Sequence, residues 1–277
     1  MIESYMFIPA NKKKYIIKSE TLADLKNRIF DLEDSIMQKE FEKSLAIISE
    51  FNIMETDWIR MPAEYFYRTD ILKRVNKIGI NRFVIPKFNG YTQLNEIVKS
   101  IINVNSKAKF ILLIENAISY VEIERIIKEY NHIIHGISLG IHDFTYNTGM
   151  LNDYKTLRNI RTNIMLLSKA YSIKPIDIAS MNLTEEQDLK DEVIDGYNIG
   201  YRAKLLIHPN QLEIINKIEF YSLKEIEDLK SILEYYYESV KGKNALFSYK
   251  GRVYEKMHIE EMKNIIEWGK NYYGTDW

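Results

Sequence analysis

Phe110-Ile111-Leu112-Leu113-Ile114 runs unbroken into Glu115, and the next apolar stretch, Ile134–Leu139, leads through Gly140 to Asp143. Both runs are short, rich in large aliphatic residues and show little alternation. Strands buried on both faces have this pattern, which favours a parallel sheet covered by helices. The same grammar recurs outward from this pair. Arg28-Ile29-Phe30 enters Asp31-Leu32-Glu33-Asp34, Trp58-Ile59 enters Arg60, and Phe83-Val84-Ile85-Pro86 enters Lys87. Charges gathered at the carboxyl ends of successive parallel strands are how a (β/α)8 barrel assembles a site.

Eight strand candidates follow: Tyr5–Ile8, Arg28–Leu32, Trp58–Met61, Phe83–Pro86, Phe110–Ile114, Ile134–Leu139, Ile176–Ile178 and Lys204–Ile207. The segments between them have helical period. Leu94, Ile97, Val98, Ile101 and Ile102 form one apolar stripe, and Leu157, Ile160, Ile164 and Leu167 another. Thr184 with Gln187 makes a capping box, and Gly196 and Gly200 break or close the helix after it. The alternation predicts an α/β fold, a TIM-like (β/α)8 barrel with a C-terminal helical extension. A doubly wound sheet is the structural rival. After His208-Pro209 the strand signals thin out. Ser222–Val240 reads as a helix, Phe247–Tyr254 around Gly251 as a hairpin, and Glu255–Tyr272 as a final helix. With no Pro/Gly/Ser-rich linker in between, residues 1–220 read as the barrel and 221–277 as an appendage of the same domain.

The 277 residues suit one barrel, which needs about 250. A net charge of −1 supplies no long-range field, so neither nucleic acid nor a membrane surface is expected as a partner. The absence of cysteine excludes disulfides, thiolate metal sites and cysteine nucleophiles. The N-terminal apolar run is too short for a signal peptide, and Lys12, Lys13 and Lys14 follow it instead of preceding it. No stretch nears the roughly 20 apolar residues of a spanning helix. Cytoplasmic residence is the expectation.

Glu115 and Asp143 are the sharpest pair, each following one of two consecutive strands. Two carboxylates on one rim with open positions beside them suit Mg2+, which keeps waters and accepts substrate oxygens; helix caps or loop acids are the plainer reading. Arg60 has two readings, a bidentate clamp on a substrate carboxylate or a rim ion pair with Glu33 or Asp34. In an extended segment Glu33 and Asp34 would point oppositely, and crowding among these acids would raise one carboxyl pKa, as proton transfer requires. His142 and His208 read as structural before catalytic. Zinc spacing, a dinucleotide fingerprint and a phosphate loop are all missing.

Taken in order, several pieces carry a family likeness: Tyr5-Met6-Phe7-Ile8-Pro9-Ala10, Asp31-Leu32-Glu33-Asp34-Ser35-Ile36, Arg60, Ile85-Pro86-Lys87, Leu113-Ile114-Glu115-Asn116-Ala117, Leu139-Gly140-Ile141-His142-Asp143-Phe144 and Ala203-Lys204-Leu205-Leu206-Ile207-His208-Pro209. Over most of its length, from Ser4 to about Glu255, the chain resembles the citrate lyase β-subunit-like branch of the HpcH/HpaI aldolase/citrate lyase family. The resemblance implies a Mg2+-dependent carbon–carbon lyase or aldolase on a TIM-like barrel, often a homotrimer, working on a small carboxylate or a CoA thioester. It implies Glu115 and Asp143 as metal ligands, Arg60 as the substrate grip with Lys87 beside it, and Glu33 and Asp34 as the residues that orient water or assist proton transfer. It would also bring Glu255 near a neighbouring subunit's chemistry. Three departures stand out. Glu3 replaces the family's first-strand arginine, which reverses a charge at the expected substrate end. Arg-Val-Asn has become Arg60-Met61-Pro62. Asn147 replaces the second acid after Asp143. These motivate an alternative, a small-molecule-binding or regulatory protein on the same barrel that has lost catalysis. A phosphosugar barrel is a weaker rival, because no glycine-rich loop accompanies His208.

Overall fold

The computed structural model describes residues 2–183, 185–238 and 246–274, which fall into two compact units, Ile2–Asn216 and a second that begins at Lys217. The first unit holds eight parallel strands: β1 (Glu3–Pro9), β2 (Asn27–Asp31), β3 (Trp58–Arg60), β4 (Arg82–Ile85), β5 (Lys109–Ile114), β6 (Ile134–Leu139), β7 (Lys174–Pro175) and β8 (Ala203–Leu206). From β1 to β7 each strand pairs with the next in sequence, and β8 pairs with β1, so the sheet curls into a barrel and the doubly wound rival fails. Seven of the eight expected strands are present within a residue or two of the expected ends.

The seventh strand differs. The regular strand stops at Pro175, and the predicted Ile176–Ile178 run works through single bonds instead. Ile176 N–H donates to the Ile137 carbonyl at 2.9 Å, Asp177 N–H to Ala203 at 2.8 Å, and Leu205 N–H back to Asp177 at 3.0 Å. The Asp177–Lys204 bridge thus closes the cylinder.

Alternate strand residues fill the barrel: Tyr5, Phe7, Ile29, Trp58, Val84, Ile111, Leu113, Ile176, Ala203 and Leu205 form one buried cluster. Their neighbours Phe30, Ile59, Phe83, Phe110 and Leu112 are buried as well, which is why the strands read as unbroken apolar runs. The helices of this unit are α1 (Lys13–Glu20), α2 (Phe41–Ile48), α3 (Thr69–Ile78), α4 (Gly90–Val104), α5 (Ala117–Val121), α6 (Ile123–Tyr130), α7 (Ile141–Thr148), α8 (Arg158–Ala170), α9 (Glu186–Ile199) and α10 (Pro209–Asn216). The α4 stripe buries Leu94, Ile97, Val98 and Ile101, as its period requires. The Thr184 capping box lies outside the described residues. Gly200 ends α9 at a positive φ of 122°, but Gly196 does not break it. A Cβ at Gly196 would stand 2.2 Å from the Asp177 carboxylate, so that glycine makes room for the closing residue.

The second unit contains α11 (Leu223–Glu238), an antiparallel hairpin of β9 (Leu246–Tyr249) and β10 (Arg252–Glu255), and α12 (Lys256–Tyr273). Its core is Ile232, Tyr236, Phe247, Ile259 and Met262. Among the described residues no helix is long and apolar enough to cross a membrane.

Candidate active site

Asp31 and Arg60 end β2 and β3, Lys87 follows β4, Glu115 follows β5, and Asp143 lies in the first turn of α7 after β6. All are carried to the carboxyl-terminal mouth of the barrel. A cavity of about 260 Å³ opens there, with Asp31, Asp34, Arg60, Glu115, His142 and Asp143 on its wall and Phe7, Leu113, Leu139, Leu205 and Ile207 among its apolar lining.

Arg60 is fixed first. Its Nε and Nη2 donate to the two oxygens of Asp31, each at 2.7 Å, and Nη1 donates to Asp34 at 3.2 Å. Glu33 Oε2 also lies 3.2 Å from Nη1, though without hydrogen-bond geometry, and that oxygen is buried and unbonded. The Phe7 ring lies beneath the guanidinium at 4.3 Å. The sequence offers Glu33 or Asp34 as a rim partner for Arg60, but the principal partner is Asp31. The missed signal was register, since Asp31 sits directly across from Arg60 on the neighbouring strand.

Glu33 and Asp34 correct the extended-segment expectation. The Asp31 carboxylate accepts the backbone N–H groups of Glu33 and Ser35, each at 3.2 Å, and folds the chain into a turn. Both acids therefore reach the same cations. Lys87 Nζ lies 2.8 Å from Glu33, 2.6 Å from Asp34 and 3.8 Å from Asp143. Its backbone N–H donates to Glu115 Oε2 at 2.5 Å. The six site residues expected from sequence thus form one connected cluster.

Neither Glu115 nor Asp143 caps a helix; Asn116 caps α5 by accepting from Ser119 N–H at 2.9 Å. Glu115 is 5% exposed and packs against Gly140, where a Cβ would come within 2.3 Å of its Cγ. Burial pushes the Glu115 carboxyl up to about 8, with Glu33 and Asp143 adding to the rise against the Lys87 N–H and Arg60. Burial likewise lifts Glu33 to about 7, although Arg60 opposes it.

Among the described residues no three acidic, histidine or cysteine side chains converge on one ion position. Two carboxylates on a cavity wall leave the remaining positions to water and substrate, which fits a hard, partly hydrated ion such as Mg2+. A buried carboxyl of raised pKa such as Glu115 is also what a divalent cation would relieve. The donor set therefore fits the ion the family resemblance implies.

Three other residues lie elsewhere. Glu3 starts β1 and pairs with Ala203, so it sits at the opposite, amino-terminal mouth; it does not reverse a charge at this cavity. Asn147 accepts from Ala117 N–H at 3.0 Å and ties α7 to α5. His208 accepts from Asn210 N–H at 3.2 Å and lines a different cavity. In the second unit, Glu255 caps α12 together with His258.

The family model for HpcH/HpaI aldolase/citrate lyase matches residues 3–209. The β subunit of citrate lyase from Leuconostoc mesenteroides subsp. cremoris is 23% identical, covering 95% of this chain and 91% of that protein. The (3S)-malyl-CoA thioesterase of Cereibacter sphaeroides strain ATCC 17025 is 24% identical, covering 95% and 93%. Among solved structures, protein CitE from Mycobacterium tuberculosis in complex with magnesium, acetoacetate and coenzyme A superposes with a TM-score of 0.78 at 18% identity, covering 96% of this chain and 97% of that one. With its strands in the expected order and the family's motifs at their carboxyl ends, the chain belongs to the HpcH/HpaI aldolase/citrate lyase family.

Proposed function

We propose that the protein is a Mg2+-dependent carbon–carbon lyase or aldolase that cleaves a small 3-hydroxy carboxylate, or its acyl-CoA thioester, through an enolate. The observation that carries this reading is the cavity shared by Glu115, Asp143 and Arg60. When bound, Mg2+ supplies Lewis-acid stabilisation of negative charge developing on a carbonyl oxygen. Glu115 and Asp143 are the residues that would hold it. Arg60 commits three N–H groups to Asp31 and Asp34, and its remaining donors are free to take a substrate carboxylate oxygen. Because Asp31 fixes the guanidinium plane, that grip is preorganised. Glu33, buried and raised to about 7, has an unbonded Oε2 on which a proton can be held and released near neutral pH. Lys87 and Asp34 orient it.

Two of the departures that motivate a non-catalytic protein, Glu3 and Asn147, have structural partners. Glu3 is bound at the far mouth, and Asn147 joins two helices. The test is Mg2+-dependent retro-aldol turnover against a panel of 3-hydroxy acids and acyl-CoA esters, with Mg2+ binding followed by calorimetry. Glu115→Gln and Asp143→Asn should each lower Mg2+ affinity by about 100-fold, or some 2.7 kcal/mol, and abolish turnover while the far-ultraviolet dichroism stays native. Absence of any divalent-ion binding in the native protein overturns the proposal. A homotrimer belongs to the same reading and is checked by sedimentation equilibrium.

A further inference from the structure

One residue touches every acid in the site apart from Asp31. Lys87 donates its backbone N–H to Glu115, while its ammonium reaches Glu33, Asp34 and Asp143. The backbone there is left-handed, with φ at 49°. Glycine is the residue such a backbone favours. A lysine in its place accepts the strain, and in return one residue can address acids on both sides of β4.

Acids outnumber bases at this mouth even with it. Five carboxylates, Asp31, Glu33, Asp34, Glu115 and Asp143, meet two cations. Arg60 is buried and locked on Asp31, with its side chain 9% exposed. The Lys87 side chain is 40% exposed and is the cation with room to move.

We propose that Lys87 is the resident counter-cation of this acid cluster and limits how tightly the cluster takes a divalent ion, because ammonium and ion compete for the same carboxylates. This rests on Glu115 and Asp143 being the ion's ligands. An ion held by Asp143 Oδ2, with a metal–oxygen distance of about 2.1 Å, lies within about 6 Å of Nζ. Repulsion between a divalent and a single positive charge at that separation weakens binding about tenfold even at the dielectric constant of water. A negatively charged substrate offsets the repulsion, so ion and substrate load together and the ion alone is held loosely.

The experiment measures Mn2+ affinity by electron paramagnetic resonance, with no organic acid present, for the native protein, Lys87→Met and Lys87→Arg. The expected result is binding about tenfold tighter in Lys87→Met and within about twofold of native in Lys87→Arg. Should Lys87→Met lose native circular dichroism, Lys87→Gln removes the charge while keeping a hydrogen-bonding group, and the same tightening is expected. Unchanged or weaker binding in a folded charge-removing variant overturns the inference and leaves the ion pair standing. If neither the native protein nor the variant binds Mn2+, the reading of Glu115 and Asp143 as ligands falls, and this inference with it.

Discussion

The two mouths of the barrel carry similar chemistry to opposite ends. At the amino-terminal mouth, both Glu3 oxygens are engaged: Tyr5 Oη and Asn27 Nδ2 donate to one at 2.9 and 3.0 Å, and Lys174 Nζ to the other at 2.5 Å. Burial pushes its carboxyl up, but these three partners outweigh it and hold Glu3 below the usual carboxylate range. At the carboxyl-terminal mouth burial wins, and Glu115 and Glu33 are left well above that range. Both ends bury acids beside bases and aromatic rings. What sets the candidate site apart is that its acids keep raised pKa values beside a cavity, while at the other end the hydrogen bonds to Glu3 outweigh its burial.

Breaking the best-satisfied contact at the carboxyl-terminal mouth has the largest expected effect. Arg60→Ala leaves Asp31, 1% exposed, as a buried charge without its cation, and should cost about 3–5 kcal/mol in urea denaturation. Adding Asp31→Asn should recover part of that loss. At the opposite mouth, His135 sharpens the contrast through pH. Its Nε2 lies 2.7 Å from Tyr5 Oη, and burial, then Lys174 and Arg82, push its pKa down to about 4. A group depressed on folding contributes stability that is complete above its unfolded pKa of about 6.5 and is lost as pH falls towards 4. The native protein should therefore lose about 2–3 kcal/mol more than His135→Gln between pH 7 and pH 4, read as the difference between two denaturation profiles. The smallest effect belongs to Glu3→Gln, which strands Lys174 and should cost about 1–2 kcal/mol without altering Mg2+ affinity. A change in Mg2+ affinity there would mean that the two mouths are not independent.

Much of this contrast was legible in the residue order. An acid that follows an apolar run belongs to the carboxyl-terminal mouth, and Glu33, Asp34, Glu115 and Asp143 all obey. By the same rule Glu3, which precedes its run, belongs to the other end; comparing it with a family arginine concealed what strand direction already implied. Cross-strand register was less accessible. That Asp31 faces Arg60 depends on how β2 and β3 align, and apolar runs do not specify alignment to one residue. The turn that swings Glu33 and Asp34 together depends on side-chain-to-backbone bonds from Asp31, which compete with extended structure and leave little trace in hydrophobic pattern. The seventh expected strand, Ile176–Ile178, falls just past the regular one, Lys174–Pro175, and joins the sheet through single bonds that an apolar run does not distinguish from a full ladder.

That seventh stave has a mechanical corollary. Two backbone bonds at Asp177 suture the cylinder to β8, where β1 and β2 share a register of five residue pairs. Its side chain is anchored by Arg161, whose Nε and Nη2 grip both oxygens at 3.0 and 2.8 Å. Just beyond it in the chain, Ala179 and Met181 line the candidate cavity. The wall they form hangs from the least-laced seam of the cylinder, so breathing motions should concentrate there, and a bulkier guest would find its slack on that side.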